Sequence, residues 1–283
     1  MNDLKLTECP RDAMQGLHDF IPTEIKIDYI NDILKCGFDT VDFGSFVSPK
    51  AIPQMKDTEA VLKGIVKNNS KLLAIVANER GANDAVVFEE IDYLGYPFSV
   101  SEEFQLRNTN ATIEESFKRV EVIQELCVKN KKELVLYLSM GFGNPYGELW
   151  HPDIVASWSE KLYSRLGIVN QSLSDTIGAA DDKIVKAVFK NLIENFPEIS
   201  FGAHLHTLPE NAAKLVEAAY SEGCRKFDGA IKGFGGCPMA KDDLTGNMPT
   251  ELMISWFEQN NIATGIDQFQ FESTIAKALT VFP

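Results

Sequence analysis

Apolar stretches of strand length alternate with stretches of helical periodicity eight times along these 283 residues. The strands read as 4–8, 40–46, 72–77, a run within 91–98, 134–139, 168–173, 199–204 and 226–231. Helical spacing fills the intervals at 22–36, 57–66, from about Asn83, 113–129, beyond Pro152, 181–194 (stopped by Pro197), 211–222 (ended by Gly223) and 250–259. Alternating β and α units imply a parallel sheet covered by helices, and eight of them predict an α/β protein of the closed (β/α)8 TIM-barrel type. The whole chain, 1–283, is expected to be one domain, with a Gly-rich loop at about 233–247 and a C-terminal helical end. A doubly wound open sheet is the rival, but no G-x-G-x-x-G follows the first strand, where a dinucleotide-binding domain would carry it.

A barrel enzyme keeps its chemistry at the C-terminal ends of its strands and in the loops that follow. The polar residues of this chain collect there: Glu8-Cys9-Pro10-Arg11-Asp12, Asp42-Phe43-Gly44-Ser45, Asn78, Ser172-Leu173-Ser174-Asp175-Thr176 and Ala203-His204-Leu205-His206-Thr207. The eighth strand runs into Gly233-Phe234-Gly235-Gly236-Cys237-Pro238 and on to Gly246-Asn247. Any one of these can be a turn or cap, and Asp175-Thr176 could simply cap a helix. His204 and His206 are two of only four histidines. In an extended strand they point the same way, roughly 6 to 7 Å apart, while Leu205 turns into packing. Two neutral imidazoles, the Asp12 carboxylate and the Asn247 amide oxygen suit a divalent ion with positions open for a chelating substrate. Mixed nitrogen and oxygen ligation leaves Mg²⁺, Mn²⁺, Co²⁺ and Zn²⁺ open.

Cys237 follows three glycines in four positions, so its loop can move and bring a thiol over the rim. A thiol of ordinary pKa about 8.5 gives or takes a proton when its surroundings tune it. Cys9, Cys36, Cys127 and Cys224 are assigned to packing, and His18 and His151 to loops or surface. Five cysteines without C-x-x-C spacing argue against a disulfide framework and a structural zinc site. A net charge of −14 argues against nucleic acid and anionic membranes as partners. No apolar run approaches the roughly 20 residues of a membrane span, and the N-terminus lacks a signal or transit pattern, so a cytoplasmic protein is expected.

Glu8-Cys9-Pro10-Arg11-Asp12, Ser45-Phe46-Val47-Ser48-Pro49-Lys50 with Pro53-Gln54-Met55, Ser172 to Gly178, His204-Leu205-His206, and Gly233 to Pro238 with Gly246-Asn247 together resemble the 3-hydroxy-3-methylglutaryl-CoA lyase family. The resemblance covers nearly the whole chain in order. It implies a metal-dependent retro-Claisen cleavage of an acyl-CoA thioester on a TIM barrel, giving acetyl-CoA and acetoacetate. Asp12, His204, His206 and Asn247 would hold Mg²⁺ or Mn²⁺, and Arg11 would brace the thioester carbonyl. Asp12 or His204 would help remove the hydroxyl proton, and Cys237 would protonate the enolate carbon. Asp42, Ser45, Ser172, Asp175 and Thr176 would line the acyl pocket or orient the ligands, with Asn78 toward the CoA side.

The chain departs from the family in several places. Cys9 stands where glycine usually precedes the proline, Asp42 is one methylene shorter than the usual glutamate, and Thr207 replaces an aspartate. An arginine common inside the fifth strand is absent from Leu134-Val135-Leu136-Tyr137. The loop from Cys237 to Asn247 is one residue longer. These keep open a related 3-hydroxy-acyl-CoA, a condensing synthase or pyruvate aldolase on the same barrel, and a non-catalytic ligand-binding barrel. A homodimer through outer helices is expected.

Overall fold

The computed structural model describes residues 3–236 and 245–282; Cys237 lies outside the described residues. The first half of the chain runs β1 (Lys5–Glu8), α1 (Pro10–Gln15), α2 (Thr23–Lys35), β2 (Thr40–Ser45), α3 (Thr58–Gly64), β3 (Lys71–Ile75), α4 (Glu79–Val86), β4 (Tyr93–Ser99), α5 (Glu102–Thr109) and α6 (Ile113–Lys129). It continues through β5 (Glu133–Ser139), α7 (Pro152–Leu166), β6 (Asn170–Asp175), α8 (Asp182–Asn195), β7 (Ser200–Leu205), α9 (Ala212–Ser221), β8 (Lys226–Gly229), α10 (Thr250–Gln259) and α11 (Gln268–Val281). Each strand pairs in parallel with the next, and β8 returns to β1, closing the barrel. Closure leaves no sheet edge to protect.

Strand alternation sorts the residues into two layers. Leu6, Val41, Leu72, Leu94, Leu136, Leu173 and Leu205 face the helices in one buried apolar cluster, while Thr7, Thr40, Tyr137, Ser172 and Asp228 border the barrel interior. The helices contribute their apolar stripes to the same cluster, for example Val120, Ile123 and Cys127 of α6 and Val185, Val188 and Leu192 of α8. α6 opens on a capping box between Thr112 and Glu115. α7 has Pro152 at its first position, the exposed His151 as N-cap and Gly167 at its left-handed end.

Several boundaries differ from the sequence expectation. β6 lies two residues later than expected, because Ile168 and Val169 precede the ladder and Ser174 and Asp175 pair with His204 and Leu205 of β7. β8 stops at Gly229, after which 231–233 form a short 3₁₀ turn. α4 begins at Glu79, capped by the Asn78 side chain. α1 and α5 are helices that the periodicity did not flag, each too short to display a stripe. α11 packs across α2, with Phe282 stacked on Phe234 at 4.5 Å. Among the described residues, no helix is long and apolar enough to cross a membrane.

Candidate active site

The C-terminal ends of the strands surround a cavity of about 410 Å³. Val47, Ile52, Ile75, Ala77, Pro97 and Phe104 give it an apolar wall; Arg11, Asp12, Gln15, His204 and His206 gather at its polar end. Ser45, Asn78 and Thr176 also line it.

Local structure sets each polar group. The ladder between β2 and β3 slips between Asp42 and Gly44. Such a bulge re-aims side chains, and it brings both Asp42 and Ser45 toward the interior although they are three residues apart. Gly44 is required there, since a Cβ would sit 2.6 Å from the Thr58 methyl. α1 places Arg11, Asp12 and Gln15 on one turn. Asp42 accepts from Arg11 Nε at 3.0 and 3.2 Å and from Nη2 at 2.5 Å. Arg11 Nη1 donates to Asp12 Oδ1 and to Gln15 Oε1, both at 2.9 Å. Gln15 Nε2 in turn donates to Asp12 Oδ1.

His204 and His206 do share a face, with ring centroids 5.5 Å apart, and Leu205 is buried in the outer packing. Their Nε2 atoms lie 3.8 and 3.9 Å from Asp12 Oδ2. One ligand atom from each of Asp12, His204 and His206 falls within 4.8 Å of the other two. Asn247 joins them through backbone pairing: it forms an antiparallel bridge with His206, flanked by hydrogen bonds from Thr207 N to Gly246 O and from Met248 N to Leu205 O, both 2.9 Å. Its Nδ2 donates to Phe234 O at 2.8 Å. Gly235, with φ +96°, presses so close that a Cβ would stand 2.7 Å from Asp12 O and 2.8 Å from Asn247 Nδ2.

This donor set fits a divalent cation. Among the described residues, Asp12 Oδ2 is buried without a hydrogen-bond partner, an arrangement a protein interior rarely leaves uncompensated. Burial opposes ionisation of Asp12, but Arg11, His204 and His206 outweigh it and hold the carboxyl below its ordinary range. Burial pushes Asp42 up to about 6, against the pull of Arg11. Burial and the neighbouring His204 push His206 down to about 4, so its imidazole is neutral and ready to ligate. Burial also disfavours a charged His204, yet the Asp228 hydrogen bond and charge, with Asp12, hold its pKa above the ordinary value. Two buried aspartates, Asp12 and Asp42, share the Arg11 guanidinium, and a third, Asp228, stands against His204.

Some expected pocket residues do something else. Asp42 is fully buried behind Arg11 and is absent from the cavity wall. Ser172 sits deeper, donating to Asp228 Oδ2 at 3.3 Å and bordering a small cavity at the barrel floor. Asp175 accepts from the backbone N–H groups of Ala179 and Ala180 at 3.0 and 2.8 Å and does not line the cavity; it braces the loop before α8, whose N-cap is Asp181, and caps no helix. Val135 borders the floor cavity, not the substrate-sized one. Cys9, assigned to packing, groups with His204 and Asp228.

Two residues of the site escaped the sequence reading. Gln15 lies three and four positions beyond Asp12 and Arg11, a spacing that signals one helix face once α1 is recognised. Asp228 accepts from His204 Nδ1 across 3.1 Å, which leaves the Nε2 lone pair facing Asp12. A lone aspartate on an inward position of a buried strand was the available signal.

The HMGL-like family model matches residues 6–277. Mouse (Mus musculus) mitochondrial hydroxymethylglutaryl-CoA lyase is 33% identical over 261 residues, 91% of this chain and 79% of that protein. Hydroxymethylglutaryl-CoA lyase YngG of Bacillus subtilis is also 33% identical, over 91% of this chain and 85% of its own length. Among solved structures, an HMG-CoA lyase from Acinetobacter baumannii in complex with coenzyme A and 3-methylmalate superposes with a TM-score of 0.91 at 33% identity, covering 98% of this chain and 90% of that one.

Proposed function

The chain belongs to the HMGL-like family, and on that premise we propose that it is a hydroxymethylglutaryl-CoA lyase, a carbon–carbon lyase that releases acetyl-CoA and acetoacetate from 3-hydroxy-3-methylglutaryl-CoA. The observation that carries this reading is the convergence of Asp12, His204 and His206 within 4.8 Å beside the Arg11 guanidinium, on the wall of the 410 Å³ cavity at the strand ends. The relatives reported above supply the substrate class, an acyl-CoA thioester.

Asp12, His204, His206 and Asn247 would hold a divalent ion, Mg²⁺ or Mn²⁺ in preference to Co²⁺ or Zn²⁺. When bound, it supplies Lewis-acid chemistry that lowers the cost of ionising the substrate hydroxyl. The protein's own groups do the rest. Asp12 or His204, both facing the polar end of the cavity, takes the hydroxyl proton. Arg11 has five N–H groups, of which Asp42, Asp12 and Gln15 engage four. Among the described residues the remaining Nη2–H has no acceptor, and it is available to the thioester carbonyl, where negative charge grows as the enolate leaves. Cys237 then delivers a proton to the enolate carbon. Asp42 and Gln15 hold Arg11, and Asp228 holds His204.

Acetyl-CoA release from 3-hydroxy-3-methylglutaryl-CoA tests the reading, with Mn²⁺ or Mg²⁺, with chelator, and with Cys237→Ala. Turnover that needs metal and collapses in the variant is expected. A folded, metal-loaded protein that leaves this thioester intact overturns it. The apolar wall at Val47, Ile52 and Ile75 favours, as the second reading, a 3-hydroxy-acyl-CoA with a larger apolar substituent, which the same assay addresses.

A further inference from the structure

His204 has two usable faces. Nε2 looks toward Asp12 and His206. Nδ1 looks down into the barrel, where Asp228 Oδ2 is 3.1 Å away. There a second group assembles: one ligand atom from each of Cys9, His204 and Asp228 lies within 4.8 Å of the other two, and all three belong to buried or nearly buried side chains. Zinc bond lengths of about 2.0 Å to nitrogen and oxygen and about 2.3 Å to sulfur give tetrahedral edges of roughly 3.3 Å between nitrogen and oxygen and roughly 3.6 Å to sulfur. The Nδ1···Oδ2 pair is already near that spacing, and Sγ has about an ångström to travel at most. The floor cavity, about 60 Å³ and bordered by Asp228, Ser172 and Tyr137, meets this group at Asp228.

We infer that Cys9, His204 Nδ1 and Asp228 form a second metal site, selective for thiophilic divalent ions such as Zn²⁺, Co²⁺ and Cd²⁺, whose filling competes with the rim site for His204. The selectivity follows from the ligands: a thiolate favours borderline and soft ions, whereas Mg²⁺ prefers oxygen and keeps its waters. The competition follows from the imidazole. A neutral ring has one lone pair, so an ion on Nδ1 sends that proton to Nε2, and the rim set loses a donor. The thiol proton leaves to solvent, one per ion bound. Zinc held in the inner site therefore inhibits any metal-dependent reaction at the rim.

Cobalt is the probe, because a thiolate ligand gives Co²⁺ a strong near-ultraviolet charge-transfer band that nitrogen and oxygen ligands do not. The metal-free full chain would be titrated in a Cys237→Ala background, which removes the other thiol expected near the rim, and again with Cys9→Ser or Asp228→Asn added. The parent is expected to develop the band. Cys9→Ser should abolish it while still binding cobalt, and Asp228→Asn should require on the order of tenfold more cobalt. Saturating Mn²⁺ should shift the parent titration to higher cobalt several-fold. No band in the parent, or a band that survives Cys9→Ser, overturns the site; a titration indifferent to Mn²⁺ overturns the competition. The readout needs no turnover, so it stands or falls apart from the lyase reading.

Discussion

Arg11 is held so completely that its chemistry is nearly fixed by its neighbours. A bidentate pair with Asp42 and contacts to Asp12 and Gln15 leave one N–H for a ligand, and a lysine has neither the fork nor the reach to reproduce that. Arg11→Lys is expected to lower kcat by on the order of 10²–10³, the range for losing one preorganised donor to developing negative charge. KM should change by less than about tenfold, because the apolar wall is untouched. Steady-state kinetics with saturating Mn²⁺ check this, and a KM effect with unchanged kcat would place Arg11 in binding alone. Asp42, expected from the sequence either to line the pocket or to orient neighbouring groups, takes the second place by gripping Arg11. Its carboxylate belongs to the interior behind Arg11, and only the bulge after it explains why Ser45 still reaches the cavity.

At the scale of elements, β1 ties together both stems of the Gly-rich loop. The outer face of β1 carries Leu6 into the core, and beside it Glu8, fully buried, accepts from Ile231 N at 2.8 Å and from Thr250 Oγ1 at 2.6 Å. Burial raises the Glu8 pKa from 4.5 to about 8; Thr250 and Ile231 oppose that rise, and the nearby Glu251 adds to it. Between those two values the folded protein keeps a proton that the unfolded chain releases. The resulting stability is fully present below about 4.5 and is lost as pH rises through about 8. Glu8→Gln cannot ionise yet keeps an acceptor for Ile231. Its unfolding free energy in urea should fall less between pH 5 and pH 8 than that of the parent, by on the order of 1–3 kcal/mol. Identical slopes would mean that Glu8 is ionised throughout.

For the whole molecule, the rim site is assembled from strands far apart in sequence, so filling it should brace the barrel. An ion that binds only the folded state adds about 2.7 kcal/mol at a hundredfold excess over its Kd, which at about 2.1 cal/mol/K of unfolding entropy per residue is roughly 5 °C in Tm for a chain of this size. Mn²⁺ is expected to raise the Tm by that amount, and Asp12→Asn to remove the rise. An equal rise in the variant would locate the stabilising ion elsewhere.

The order of apolar runs determined the barrel, because a period-two strand and a helix stripe are local patterns and eight alternations close in one way. The histidine pair and the Arg11-Asp12 turn were legible for the same reason, each being set by one element. Cys9, Asp228 and Gln15 were not, since their meaning depends on partners in other strands of the barrel or on a helix too short to show a stripe. Whether Ser172 and Asp175 faced the cavity was equally out of reach, because a two-residue shift of β6 changes which side chains end at the rim. Sequence spacing fixes the direction of a side chain along its own element; only closure of the barrel decides what stands opposite.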